Sequence, residues 1–180
     1  LGLWRSLDGG QSWQSSNHST YTGGWDGFGG NCLSVLADPD DSNKVWASLQ
    51  GNLDESSHLI KSTAKGEKNS WILSNSGLPE SSQIMGLSID PNSSQSNRKI
   101  FVTADGDIYR SLNDGANWRL VHEDGGLFLT TVDPNNGNLV YAGGSSGMIK
   151  STDGGMSWNA IGHSDMVGSL DDFWADTYAG

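Results

Sequence analysis

Residues Lys150 to Trp158 read Lys-Ser-Thr-Asp-Gly-Gly-Met-Ser-Trp, and three earlier stretches of the chain repeat this text with changes. The other copies run from Arg5 to Trp13, from Lys61 to Trp71 and from Arg110 to Trp118. Their serines stand at positions 6, 62, 111 and 151, so the spacings are 56, 49 and 40 residues. A period of about 40 to 50 residues matches one four-stranded blade of a β-propeller. The repeat therefore predicts that fold.

Two further strand signals recur between the copies. An apolar run ends in Asp-Pro at residues 38–39, 90–91 and 133–134, and a short β-rich run follows at 45–47, 100–102 and 140–142. Together with the strands that flank each copied turn, these signals predict four antiparallel strands per repeat. The chain has 25 glycines in 180 residues and no long amphipathic helical pattern. We therefore expect an all-β chain with about four blades' worth of strands, forming part of a larger propeller.

The predicted boundaries are a half blade at 1–16, blades at about 31–72, 83–120 and 126–160, and a half blade at 165–180. The first half blade carries the last two strands of a blade, and the second carries the first two. Three explanations fit this complementarity. The sequence is a segment of a longer chain, or a small closed ring, or a unit of a head-to-tail assembly in which each copy completes its neighbour's blade.

The letters of the repeated turn have a physical explanation. An Asp or Asn early in a hairpin accepts hydrogen bonds from the backbone amides that follow it, glycine adopts positive φ without strain, and a closing Trp supplies a large apolar surface between blades. We predict a structural role for these residues. They are Ser6, Asp8, Gly10 and Trp13 in the first copy, Ser111, Asn113, Gly115 and Trp118 in the third, and Ser151, Asp153, Gly155 and Trp158 in the fourth.

This turn resembles the Asp box (BNR repeat) of sialidases, sortilin-like receptors, photosystem assembly factors and the xyloglucanase family of glycoside hydrolases. Residues 133–158, from Asp-Pro to the closing Trp, are most similar to the tandem-propeller xyloglucanases. In those families the box lies at the propeller periphery, so the resemblance implies a structural role. Sialidase activity is disfavoured, because Arg5, Arg98, Arg110 and Arg119 lie in no Arg-Ile-Pro motif.

The longest connection between predicted blades, from Gln14 to Asn31, is the candidate catalytic loop. It places Tyr21, Trp25 and Phe28 around Asp26. Sugars stack on aromatic faces, and partial desolvation would raise the pKa of a carboxyl group towards the range of a general acid. The resemblance implies a catalytic aspartate shortly after the first blade's final Trp, which Asp26 matches by position. The alternative interpretation is a glycine-rich loop in which Asp26 is simply solvated.

Several classes of function are disfavoured by the sequence. A formal charge of −11 opposes binding to nucleic acid, and no apolar run is long enough to predict membrane insertion. The pairs at His122–Asp124 and His163–Asp165 lack the spacing of a metal site, and no phosphate-binding loop occurs. We therefore predict neither a metal nor a cofactor.

The leading hypothesis is an extracellular or cell-surface propeller that handles polysaccharide. It either hydrolyses a β-glucan such as xyloglucan with opposed carboxylates or only binds it. The alternative hypothesis is a non-enzymatic scaffold that binds a protein partner or assembles with itself through its incomplete terminal blades. The acidic composition, the Asp-Pro and Asn-rich turns and the resemblance together favour export.

Overall fold

The computed structural model describes residues 2–18, 31–50 and 58–161. This part of the chain contains fourteen β-strands and no helix. The strands are β1 (Trp4–Arg5), β2 (Gln14–Ser15), β3 (Asn31–Ala37), β4 (Val45–Gln50), β5 (His58–Ser62), β6 (Trp71–Leu73), β7 (Ile84–Ile89), β8 (Ile100–Ala104), β9 (Asp107–Ser111), β10 (Arg119–His122), β11 (Leu127–Asp133), β12 (Asn136–Gly144), β13 (Gly147–Ser151) and β14 (Asn159–Ala160).

The strands form four antiparallel sheets in sequence order. The first sheet is the pair β1–β2, and the second, third and fourth sheets are β3–β6, β7–β10 and β11–β14. Each strand pairs with the strand that precedes or follows it, as in a propeller blade. The predicted all-β architecture, a partial propeller of about four blades, is confirmed. The half blade predicted at 165–180 lies outside the described residues.

One hydrophobic cluster fills each gap between neighbouring sheets. Because side chains alternate along a strand, adjacent residues face different gaps. Trp46 belongs to the cluster between the second and third sheets, whereas Ala47 belongs to the cluster between the first and second. In the third sheet, Phe101 faces the fourth sheet while Ile100 and Val102 face the second. Every residue of β8 is buried, because both faces of the third sheet are covered. Each large apolar side chain buried in this way stabilises the fold by about 1.5–3 kcal/mol.

The sheets have two structurally different ends. We call the repeated turns, residues 6–13, 62–71, 111–118 and 151–158, the serine turns. The first joins β1 to β2, and each of the others joins the third strand of its sheet to the fourth. The Asp-Pro turns lie at this same end. The connections from one sheet to the next leave from the opposite end, which also holds the hairpins between the second and third strands of the third and fourth sheets. We call it the loop end.

A buried arginine joins the second and third sheets at the serine-turn end. Arg98 donates two hydrogen bonds to the carboxylate of Asp38, Nε to Oδ2 at 2.8 Å and Nη2 to Oδ1 at 2.6 Å. Its Nη2 also contacts Asp40 Oδ2 at 2.6 Å, and its Nη1 donates to the carbonyls of Pro91 and Ser93. The side chains of Arg98 and Asp38 are both fully buried. The sequence placed Arg98 in no motif, and its role is to hold two sheets together.

Candidate functional site

The fourth serine turn is closed by its own polar side chains. Ser151 Oγ donates to Asp153 Oδ1 at 2.7 Å and accepts from the Gly155 amide at 2.8 Å. Asp153 also accepts from the Ser157 amide at 2.9 Å and from the Ser157 hydroxyl at 2.5 Å. These donors, the Ser157 hydroxyl first among them, hold the pKa of Asp153 well below its usual range. The carboxylate is therefore a structural acceptor, ionised at neutral pH.

The first serine turn has the same geometry. Ser6 Oγ donates to Asp8 Oδ1 at 2.8 Å and accepts from the Gly10 amide at 2.7 Å. The hydroxyl and amide of Ser12 donate to the carboxylate at 2.6 Å and 2.9 Å. These hydrogen bonds, led by the Ser12 hydroxyl, lower the pKa of Asp8 to about 2. In both turns the acid and the serine hydroxyl accept hydrogen bonds from backbone amides of the turn.

The third serine turn uses an amide side chain for the same purpose. Ser111 Oγ donates to Asn113 Oδ1 at 2.9 Å and accepts from the Gly115 amide at 3.0 Å. The second turn lacks the acid. There Ser62 Oγ accepts from the Gly66 amide at 3.1 Å and pairs with Ser70 Oγ at 2.7 Å.

In the third and fourth turns the last glycine lies against the preceding sheet. Gly115 has a φ of +78°, and a Cβ there would lie 2.8 Å from Nε1 of Trp46 in the second sheet. Gly155 has a φ of +81°, and its Cβ would lie 2.4 Å from the ring of Phe101 in the third sheet. Glycine is needed there for both backbone conformation and space.

The closing tryptophans differ in burial according to what precedes them. Trp71 and Trp118 are buried, and their Nε1 atoms donate to the carbonyls of Ser16 and Ser74, each at 2.6 Å. Trp158 is partly buried and meets Phe101 edge to face. Trp13 is 59% exposed, and the described residues include no sheet before the first one, so its expected place between two blades stays a prediction.

The candidate catalytic loop begins at the loop end of the first sheet. Strand β2 ends at Ser15, and the Ser16 amide donates to the Leu3 carbonyl at 2.8 Å. The four residues chosen from the sequence, Tyr21, Trp25, Asp26 and Phe28, lie outside the described residues. The serine turns lie at the opposite end of the sheets.

Other carboxylates at the loop end serve as acceptors for backbone amides. Asp107 Oδ1 accepts from Asp124 at 2.8 Å and from Gly125 at 3.0 Å. His122 Nε2 lies 3.8 Å from Asp124 Oδ2. Burial, together with the charges of Asp107 and its acidic neighbours, raises the pKa of Tyr109.

Among the described residues no three His, Cys, Asp or Glu side chains are grouped to hold a metal. No helix in this part of the chain is long and apolar enough to cross a membrane.

Antiparallel sheets whose strands follow sequence order, with a repeated turn before the last strand, define the fold as a β-propeller. No family model and no curated protein sequence matches the chain. Solved structures are similar to the chain, and two of them are described here. An ancestral GH74 enzyme is similar over 92% of this chain, with 25% identity and a TM-score of 0.67. The GH74 xyloglucanase from Xanthomonas campestris is similar over 90% of it, with 17% identity and a TM-score of 0.69.

The similarity is restricted to part of each enzyme. The aligned region spans 22% of the ancestral enzyme and 27% of the xyloglucanase, about a quarter of each chain. The chain therefore has the propeller fold of these glycoside hydrolases over nearly all of its length, while they contain much more structure than this sequence provides.

Proposed function

We propose that this chain belongs to an extracellular propeller that handles polysaccharide and hydrolyses or binds a β-glucan such as xyloglucan. The observation that carries the proposal is the likeness to two GH74 structures over 92% and 90% of the chain. We also identify the serine turns as Asp boxes. A hydrogen bond from the serine to the following Asp or Asn supports this identification in three of them, at 2.8 Å in the first turn, 2.9 Å in the third and 2.7 Å in the fourth.

In this proposal the loop between β2 and β3 contacts the sugar. Tyr21, Trp25 and Phe28 stack on pyranose rings. Asp26 acts either as the general acid that protonates the glycosidic oxygen or as the general base that takes a proton from the attacking water. Hydrolysis needs a second carboxyl group, about 5–5.5 Å away for retention or 6.5–9.5 Å for inversion. The chain spans about a quarter of each related enzyme, so the second carboxylate can come from a blade outside this sequence.

Binding and cleavage are tested separately on this chain. We expect xyloglucan to retard the protein in affinity electrophoresis. Trp25→Ala should weaken this binding about tenfold, which corresponds to about 1.4 kcal/mol for one aromatic contact. Asp26→Asn keeps the binding and lowers reducing-sugar release by about 10²- to 10⁴-fold where release is measurable. Glu80→Gln, an exposed carboxylate at another position, is the matched control. The proposal is contradicted if Trp25→Ala is retarded as strongly as the native protein, or if no β-glucan retards the native protein.

A non-enzymatic scaffold is the second candidate. It is favoured by the exposure of large apolar side chains on the first sheet, where Trp4 and Trp13 are both more than half exposed. Exposed apolar clusters of this kind are typical of surfaces that meet another protein. A chain that binds no β-glucan but associates with protein supports this candidate over the first.

A further inference from the structure

The sequence contains one Asn-Gly pair, Asn136–Gly137, at the Asp-Pro turn of the fourth sheet. This turn joins β11 to β12. Asn136 is exposed, and its Oδ1 accepts a hydrogen bond from the Asn138 amide at 3.1 Å. A bond of this kind folds the asparagine side chain back over the peptide that follows it. The side-chain carbonyl carbon of Asn136 and the amide nitrogen of Gly137 are therefore held close together.

The backbone after Asn136 leaves the ladder of its sheet. Strand β12 pairs with β11 at Asn136 and next at Val140, and its pairing with β13 begins at Val140. Among the described strands, residues 137–139 thus pair with neither neighbour and form a bulge. Gly137 also has no side chain to shield its amide nitrogen. The nitrogen is therefore accessible both to solvent and to the Asn136 side chain.

The neighbouring sheet requires a glycine at position 137. A Cβ there would lie 2.0 Å from Oδ2 of Asp90, which is buried at the end of the third sheet's first strand. Lys99 Nζ lies 2.9 Å from the same oxygen and donates to the Gly137 carbonyl at 2.7 Å. The joint between the third and fourth sheets therefore places a glycine after Asn136, and glycine hinders attack by the backbone nitrogen least.

The second sheet shows what an aspartate does at this position. Asp41 stands in the Asp-Pro turn of that sheet where Asn136 stands in the fourth. Asp41 Oδ1 accepts from the Asn43 amide at 3.0 Å, which is the counterpart of the bond that Asn136 makes. Conversion of Asn136 to aspartate would therefore keep the turn. Conversion to isoaspartate would add one carbon to the backbone and displace the joint with the third sheet.

We infer that Asn136 is a site of spontaneous deamidation in the folded protein. Solvent base removes the proton of the Gly137 amide, and the nitrogen attacks Cγ of Asn136 to form a new C–N bond, an intramolecular step favoured by proximity. The bond from Cγ to Nδ2 breaks, and Nδ2 takes a proton from solvent and leaves as ammonia. Water then opens the cyclic imide at one of its two carbonyls, which gives aspartate or isoaspartate. This inference does not depend on the proposed action on polysaccharide.

Tandem mass spectrometry of peptides from protein aged in neutral buffer tests the inference. Asn136 should be converted at least about tenfold faster than Asn135 or Asn138, because only Asn136 is followed by an unshielded amide. The rate should rise with pH, since the attacking amide must lose its proton. Asn136→Gln should abolish the change, because the longer side chain must close a larger ring. Asn138→Gln, at an exposed amide in the same bulge, is the matched control and should leave the rate unchanged.

The two products allow a second measurement. Each carries one more negative charge than the native chain, so anion-exchange chromatography separates them from it, and freshly purified Asn136→Asp marks the aspartate form. The aspartate form should unfold at the native Tm. The isoaspartate form should unfold about 3–12 °C lower, as expected when the bond from the charged Lys99 donor is lost.

Three results would overturn the inference. The first is an Asn136 that stays intact in the folded chain while the same residue is converted in chain unfolded by urea. The second is conversion of Asn135 and Asn138 at the rate of Asn136. The third is continued formation of a more acidic chain in Asn136→Gln. An isoaspartate form with the native Tm would overturn the role assigned to the Gly137 backbone in the joint.

Discussion

Replacing Arg98 with Met removes the cation of the buried pair and keeps much of its apolar volume. Asp38 then remains fully buried, with only the amides of Asp40 and Asp41 as donors. Removing one partner of a buried ion pair costs about 3–5 kcal/mol, because the other charge is left uncompensated. For a chain of this size that corresponds to a fall in Tm of about 6–20 °C. Urea unfolding followed by tryptophan fluorescence measures the change directly.

The pH dependence distinguishes this explanation from a simple packing defect. Burial opposes ionisation of Asp38, but the Arg98 guanidinium outweighs it and lowers the pKa of that carboxyl. In the native chain this contribution is present above the ordinary carboxyl pKa and is lost as pH falls through the lowered value. In Arg98→Met, Asp38 can escape its penalty by binding a proton, so the deficit shrinks as pH falls from about 7 to about 4.

A double variant completes the test. Arg98→Met with Asp38→Leu replaces the pair by apolar groups, which is often nearly neutral, so it should be more stable than Arg98→Met alone. A loss below about 1 kcal/mol for the single variant refutes the reasoning, because exposed pairs give values of that size. A deficit that is the same at both pH values refutes it as well.

Two other predictions concern the serine turns. Gly155→Ala should destabilise the chain by about 1–3 kcal/mol more than Gly9→Ala in thermal unfolding, because both positions have positive φ but only the first would place a Cβ against Phe101; equal losses would show that the contact is unimportant. Ser157→Ala should raise the pKa of Asp153, measured by carbon-13 NMR titration, while the pKa of Asp8 stays at about 2. An unchanged pKa of Asp153 would show that the Ser157 hydroxyl is not its main hydrogen-bond donor.

The sequence predicts the strands well because the repeat states them several times. The turn motif occurs four times, once in altered form, and the Asp-Pro ending occurs three times, so a weak copy is recognised from the others. The link between Arg98 and Asp38 could not be predicted in this way. Its residues are 60 positions apart and its arginine occurs in one repeat only, so no periodic signal marks it.

Burial of the tryptophans was harder to predict than their positions. Trp118 and Trp13 end the same motif, yet one is buried and the other is mostly exposed, since burial depends on the neighbouring sheet. The basic residue before each serine was a signal that sequence reasoning could have used. It recurs in all four copies, at Arg5, Lys61, Arg110 and Lys150, and in the first three it contacts the next sheet. The candidate site around Asp26 stays a prediction.

The separation of the two ends has an evolutionary consequence. The docking contacts between sheets and the self-closed turns share one end of each unit, whereas the connections between units leave from the other. A duplicated unit can therefore dock through an unchanged joint while its connecting loop lengthens and diversifies. The connection between consecutive sheets does shorten along the chain, from residues 16–30 to 74–83 to 123–126, as the repeat spacing falls from 56 to 49 to 40 residues.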